Sequence, residues 1–558
     1  ANQITDTPTD DANNNIGNYV TWSAIDKDSN VTLSEGSTVA EQDSTSAFKS
    51  VLATQAVPST GKWVWEIKQS GGNPFGGYAT TGVASTNVAR SIGRSGSGAI
   101  TFDVNGSNLR KFGGGSTQST HATGVSISSG EAFAVDSDAE ELEIYINNTK
   151  QGSSVDISSL TKPYKIISQI YSGGTVDHTL VANSADFENN VPAGGYKTIN
   201  TANLPAPTVT DPSDFITIKT LVNGSTPNTS FDTGFDSVGL IIAKRTDGNG
   251  GWEWFDIARG ATSLLQSNND DGENIKSSNS FSGGTFNFDT NSNIGQANTS
   301  HIVYSLKAGG AAQTIAADAY SSGSPRVPCD VSAASHGGFS IVKYTSSGSP
   351  ADGDKIAHGL GKTPDMIIVK DIPTNGTEWE VYHKDEGDRF YLSTDAAASG
   401  ADVFNSGSGF DSNVFAISNQ NGVNRANTAH IAYCFARTPG MVAVGSYTGN
   451  NDPDGTYVIV DDGASGFRPA WLLMKNVDDA ENWVLMDSTR SPSNPVDGYL
   501  STNTAAGDGS ATGLPLDFTA NGFKQRNNSN MTNEDTIIYL AFAENPFGGS
   551  GVAQAKAR

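Results

Sequence analysis

Three stretches far apart in this chain follow one template, and whatever the chain folds into must accommodate that template three times. Each copy opens with a short apolar run ending in lysine: VGLIIAK to Lys244, PDMIIVK to Lys370 and PAWLLMK to Lys475. A tryptophan follows each lysine after a polar, turn-like segment, at Trp252, Trp379 and Trp483. Each copy closes on a second apolar strand, ANTSHIVYSLKAG through Tyr304, ANTAHIAYCFART through Tyr433 and TNEDTIIYLAFAE through Tyr539. The lysine-to-tyrosine separations are 60, 63 and 64 residues (244 to 304, 370 to 433, 475 to 539). A further strand precedes each run: FITIKT ending at Thr220, FSIVKYT through Tyr344 and MVAVGSYT through Tyr447. The period is far longer than the roughly 20 to 50 residues of solenoid units, so each copy reads as a small domain.

The chain has 558 residues, a length expected to hold several domains of about 100 to 200 residues each. Hydrophobic residues make up 36% and charged residues 17%, with the polar balance in Gly, Ser, Thr, Asn and Asp. That composition favours short strands joined by many turns. The formal charge of -25 disfavours nucleic acid and anionic lipid as partners. No apolar run approaches the length of a membrane helix, and ANQITDTPTDD lacks the regions of a secretory signal. The expectation is a soluble protein made in a cytoplasm, without membrane insertion. Two cysteines, Cys329 and Cys434, exclude a disulfide-built scaffold. Cys434 reads as a buried strand residue, and whether it pairs with Cys329 stays open.

The repeats divide the chain. Residues 1–18 read as an N-terminal arm, 19–190 as a β-sandwich, and 191–214, with Pro205, Pro207 and Pro212, as a linker. The repeats follow at 215–310, 338–439 and 440–547, with a linker at 311–337 and a tail at 548–558. In GKWVWEIKQ, Trp63, Trp65 and Ile67 alternate with Val64, Glu66 and Lys68, the period of a sheet strand. The fold class expected is all-β and multidomain: one sandwich followed by three related sandwich-like domains.

The order GKWVWEI, YATTGVAS, GEAFAVDSDAEELEIYINNTKQG and PYKIISQIYSGG resembles a SPRY-type, concanavalin-like sandwich. That family implies protein or peptide binding through edge loops, without enzymatic activity. The opening NQITDTPTDD, the linker GYKTINTANLPAPTV, the turns GFDSVGLIIAK, GKTPDMIIVK and GFRPAWLLMK, and the ending AFAENPFGGSGVAQAKAR resemble tail-fibre or SPRY-containing virion proteins of marine bacteriophages. The resemblance implies a virion structural protein on a tail or capsid surface, in contact with other virion proteins and with a host receptor or glycan. It also implies a homo-oligomer, a trimer by analogy with fibres. A capsid decoration protein and a polysaccharide depolymerase are the alternatives.

No residue earns a catalytic, cofactor-binding or metal-binding role, and no ligand-binding position is assigned. GLGKTP at Gly359–Pro364 imitates a phosphate loop, but Ile356 stands where its first glycine belongs. His301 and His430 match across two copies, whereas the third has Thr536, so they read as satisfied strand histidines. Asp136, Asp138, Glu140, Glu141 and Glu143 form the densest carboxylate set and read as a solvated turn, with calcium or a depolymerase role as the sharper alternative. Asp26, Asp28 and Asn30 begin like a calcium loop, but Val31 replaces the glycine such loops need. NNDDGEN near Asp270 and NDPDG at Asn451–Gly455 read as turns. The three template tryptophans read as core anchors. Trp254 and Trp471, not shared by all copies, are the better candidates for something specific. Lys244, Lys370 and Lys475 are expected at the solvent boundary, their stems covering apolar surface.

Overall fold

The computed structural model describes residues 19–548 except 43–47, 72–78, 86–97, 106, 114–115, 126–129, 171–175, 291, 322, 388, 406, 408 and 509–512. The arm at 1–18 and nearly all of the tail lie outside the described residues. Strands dominate; the described helices are short, the α-helix Asn421–Asn424 among them. The chain is all-β, and it divides into two units rather than four domains.

The first unit takes the described chain from Tyr19 to Pro207, together with Thr456–Gly466 and Phe547–Gly548. Two antiparallel sheets form its sandwich. One is centred on Tyr164–Ile170 between Lys49–Val57 and Ala79–Ala84, the other on Lys62–Gly71 between Glu131–Asp136 and Val176–Val181. The aromatic alternation of Trp63, Trp65 and Ile67 places all three in the core between the sheets. Phe133 lies opposite Trp65 in the same sheet, and Phe102 of the other sheet meets Phe133 with ring centroids 6.5 Å apart. The expected linker at 191–214 starts inside this unit. Lys197–Thr198 pairs in parallel with the Trp63 strand, and Ile199 and Leu204 are buried in the core. Apolar residues at 199 and 204 gain more by burial than a spacer would, so the proline-bearing stretch is partly core.

In the second unit, the three template segments build sheets with one order. Reading across each sheet, the preceding strand is followed by the closing strand, the lysine strand and the tryptophan strand. In the first segment these are Ile216–Val222, Ser300–Leu306, Leu240–Arg245 and Trp252–Asp256. In the second they are Phe339–Thr345, Ala429–Phe435, Met366–Asp371 and Glu380–His383; in the third, Val442–Thr448, Thr536–Pro546, Phe467–Asn476 and Val484–Asp487. Residues 311–337, expected as a linker, add Gln313–Ile315 and Cys329–Ala333 to the edge of the second sheet.

The lysine strand at the centre of each large sheet is buried on both faces, which is why it is apolar throughout rather than alternating. Ile241, Ala243 and Val303 of the first segment face a local core with Phe231 and Phe286 of a small three-stranded sheet. Leu240, Ile242, Ile302, Tyr304 and Leu306 face the other way. There they join Ile368, Ile431, Tyr433 and Phe435 of the second segment and Leu473, Ile538, Leu540 and Phe542 of the third in one continuous core. Three expected domains are therefore three walls of one core.

Register corrects one match in the template. Tyr304 lies opposite Ile242 and Tyr433 opposite Ile368, each two residues before its lysine. The residue opposite Leu473, two before Lys475, is Leu540, whereas Tyr539 lies opposite Met474. A shift of one residue changes the face of a strand, and Tyr539 accordingly packs on Phe523 and Tyr447, away from the shared core.

Candidate functional site

The chemistry of the second unit is concentrated where the three segments meet, and it is arranged cyclically. Trp252 of the first segment donates from Nε1 to the Ser501 carbonyl of the third, at 2.9 Å. Trp379 of the second donates to the Gln266 carbonyl of the first, at 3.1 Å. Trp483 of the third donates to the Tyr391 carbonyl of the second, at 2.8 Å. Each indole is buried and spends its one polar group on the preceding segment, which closes the three into a ring.

The template lysines belong to the same seams. Lys244, Lys370 and Lys475 are fully buried, contrary to the expected solvent boundary. Each lies on the core-facing side of its strand, and the neighbouring segment covers the rim that water would otherwise occupy. Lys244 donates to the carbonyls of Gly250 at 2.7 Å and of Ala505, in the third segment, at 2.8 Å. Lys370 donates to the carbonyls of Thr377 and of Asp270, in the first segment, at 3.1 Å for the latter. Lys475 donates to the carbonyls of Asn476 and Asp479, the second at 3.1 Å. Burial pushes all three ammonium groups down to about 8. Lysines so shifted can act as nucleophiles in a cleft, but these have no exposed surface and serve as buried staples.

Two seams carry an additional polar clasp. Tyr304 donates to Asp487 at 2.9 Å, and Arg490 Nε donates to the same carboxylate oxygen at 2.6 Å while its Nη1 reaches Asp508 at 2.9 Å. Tyr433 donates to Asp256 at 2.8 Å; Arg259 Nε reaches that carboxylate at 2.6 Å and Glu273 from Nη1 at 3.2 Å. Burial, then the adjoining carboxylate, holds both tyrosine hydroxyls well above their usual range. The third seam lacks the clasp at both ends. His383 occupies the register position of Asp256 and Asp487, Glu386 replaces the arginine, and Leu540 replaces the tyrosine. Donor and acceptor are dropped together, so neither a tyrosine hydroxyl nor a carboxylate is left behind, although His383 Nε2 is buried without a hydrogen-bond partner among the described residues. The signal was present in the sequence as W-x-x-x-D-x-x-R, in WEWFDIAR and WVLMDSTR.

The remaining sequence candidates are placed as follows. Trp254 and Trp471 are buried, and with Leu240, Ile242, Phe435 and Phe542 they line an enclosed cavity of about 30 Å³ at the centre of the ring. Its lining is apolar, so the space stays dry, and neither tryptophan is available to a ligand. Asp270 turns out to be a seam residue, its carbonyl accepting from Gly376 and Thr377 as well as Lys370. Lys362 of GLGKTP is tied to the Arg437 carbonyl and Thr438 Oγ1, both at 2.6 Å. In the NDPDG turn, Asp454 N donates to Asp452 Oδ1. His301 and His430 are buried, and Cys329 and Cys434 are both free thiols.

The acidic residues of the first unit are divided among separate partners. Asp136 pairs with Lys62 at 2.9 Å, Glu140 with Lys162 at 2.8 Å and Glu143 with Lys150. Asp138 accepts from Gly61 N, and Glu141 sits in strand register with Asp156. Asp26 is buried against Lys165 at 3.0 Å and Asp28 pairs with Lys49, where Asn30 N closes an Asx turn on Asp28. Among the described residues no group of three or more His, Cys, Asp or Glu side chains is arranged to hold a metal ion. No helix among them is long and apolar enough to cross a membrane.

Burial also fixes the response to acid. It pushes His178, His301, His336, His358 and His383 down to about 4 and lowers His121 and His430 as well. A histidine held below its ordinary value of 6.5 gives stability that is present above that pH and lost as pH falls toward the folded value. Glu131 and Glu253, pushed up to about 7 by burial, and Glu380, also raised by burial, act in the opposite sense, three groups against seven. The melting temperature should therefore fall as pH is lowered from about 6.5 to about 4. A melting temperature that is flat or rising across this window would contradict the assignment.

Solved structures with similarity to the chain include a TRIM65 PSpry domain, at 16% identity and a TM-score of 0.24, covering 30% of this chain and 94% of that one. Stonustoxin is similar at 15% identity and a TM-score of 0.24, covering 29% of this chain and 28% of that one. No curated protein matches. A family described as a domain of unknown function, DUF7483, matches residues 211–546. That span takes in all three segments, so the family domain and the ring coincide.

Proposed function

We propose that this chain, which belongs to the DUF7483 family, is a structural and adhesive protein of a bacteriophage virion. It would be a tail fibre or adhesin carried on the tail or capsid surface and contacting the host cell envelope. The observation that carries the reading is the ring itself. The lysines, tryptophans, tyrosines and arginines that could do chemistry are buried as ties between segments. What remains outside is a rigid all-β body with small polar loops, suited to contact rather than turnover. The charge of -25 fits a surface protein that repels its own copies outside assembly contacts. The SPRY-like order of motifs in the first unit supports recognition of protein or peptide partners there, without enzymatic activity, cofactor or metal. Homo-oligomerisation, including a trimer, belongs to the same proposal, although threefold closure is already supplied within one chain.

The test is binding of the purified full chain to susceptible host cells, with competition against phage adsorption. Saturable binding that blocks adsorption in a dose-dependent way is expected. Folded protein that ignores cells but binds capsids stoichiometrically would replace this reading with a decoration role.

A further inference from the structure

The second segment carries a cleft that none of the ring ties fills. Its volume is about 460 Å³, within the range of small-ligand sites, and its walls come from the chain at Arg389, Ala401–Asn405, Asp352 and Ser418–Gln420. At one wall stands Arg389. Its Nε donates to Glu380 Oε2 at 2.7 Å and its Nη2 to Glu380 Oε1, and its guanidinium lies 4.8 Å over the Tyr391 ring. Glu380 is buried, and Gly422 leaves room for it: a Cβ there would fall 2.1 Å from Oε1. The guanidinium is therefore fixed in orientation from behind and beneath, while Nη1 has no bonding partner among the described residues.

The rest of the lining offers complementary groups. Asp352 Oδ1 accepts from Asn419 N at 2.8 Å, which orients the carboxylate and leaves Oδ2 unbonded. The side-chain amides of Asn405, Asn419 and Gln420 likewise have no hydrogen-bond partner among the described residues, although all three line the cleft. Ala401 and Val403 are the apolar contributors. The cleft thus gathers donors and acceptors with little apolar surface to hold a peptide side chain. Its charge is not positive either: Asp352 lines it together with a guanidinium whose charge Glu380 already balances. Phosphate, sulfate or uronate groups would meet like charge. A ligand rich in hydroxyls, each able both to donate and to accept, matches such a lining.

We propose that this cleft is a binding site for a saccharide that carries no anionic group. The assignment rests on the adhesive reading above, for which it names the class of ligand. The experiment measures binding of the full chain to neutral, amino and anionic glycans and, in parallel, to host cells. It compares wild type with Arg389→Ala and with the double variant Asn419→Ala/Gln420→Ala. The second variant alters exposed side chains outside the fold's hydrogen bonding, so its melting temperature should not change even if loss of Arg389 unsettles Glu380.

Expected is binding to neutral or amino glycans and not to anionic ones, weakened by about tenfold or more in the double variant. Preference for anionic glycans, or variants that bind glycans and cells as wild type does, would overturn the cleft assignment while leaving adhesion standing. Glycan binding without cell binding would overturn adhesion and leave the cleft. A folded chain that binds neither would overturn both.

Discussion

Asp487→Ala is expected to destabilise the second unit by about 3–5 kcal/mol, the cost of taking from a buried guanidinium its buried partner and leaving it only the more exposed Asp508. Arg490 and Asp487 are both buried, with side chains 5% and 0% exposed, so water cannot replace the lost carboxylate. The same substitution removes the acceptor of Tyr304, which lies on another segment. Tyr304→Phe alone should cost about 1–3 kcal/mol, because it leaves Asp487 with Arg490 still bound. Adding Arg490→Met to Asp487→Ala should recover much of the loss, since the pair then disappears as a unit. Denaturant unfolding followed by tryptophan fluorescence measures all three. An Asp487→Ala loss below about 1 kcal/mol, or no recovery in the double variant, would mean that the clasp does not bear on this seam. The third seam shows a natural counterpart without the clasp, with His383 and Glu386 at the positions of Asp487 and Arg490 and Leu540 at that of Tyr304.

The second large effect is expected from the template tryptophans. Trp379→Ala should cost about 3–5 kcal/mol, combining lost apolar burial with a cavity between two segments. The indole is fully buried and tilts against Trp254 of the first segment at 5.1 Å between ring centroids. Its loss also orphans the Gln266 carbonyl. Trp379→Phe keeps most of the volume and should cost less, the difference reporting the hydrogen bond and the remaining packing. Trp252→Ala and Trp483→Ala should behave alike, because each occupies the corresponding place in the ring. A loss near 1 kcal/mol for all three would place them outside a common core.

Much of the strand plan was legible because strands buried on both faces write continuous apolar runs, such as VGLIIAK and PDMIIVK. The all-β class and the core role of the three tryptophans could be read from the same pattern. The ring could not, because its ties end on main-chain carbonyls at Ser501, Gln266 and Tyr391, which carry no side-chain identity. The lysines were misplaced for a related reason. A lysine at a strand end ordinarily snorkels to water, and burial is tolerable here because main-chain carbonyls take each ammonium, from its own segment for Lys475 and from two segments for Lys244 and Lys370. Tyr539 was matched one residue out of register because tyrosine is conspicuous and Leu540 is not, yet alternation decides the face. The stretches 191–214 and 311–337 looked like linkers by composition, but Ile199, Leu204, Cys329 and Val331 are buried. The saccharide cleft had no linear signature, since Asp352, Arg389 and Asn419 are brought together only by the fold.

The central claim is that three segments of one chain share a single core. Hydrogen exchange of the full chain, wild type against Trp252→Ala, tests it most directly. The substitution lies in the first segment, and the strands to follow are the three closing strands, Ser300–Leu306, Ala429–Phe435 and Thr536–Pro546. The ring predicts that protection falls in all three, since local openings of a cooperative unit share one free energy. Loss confined to Ser300–Leu306, with the other two strands as protected as in wild type, would show three independent domains and contradict it.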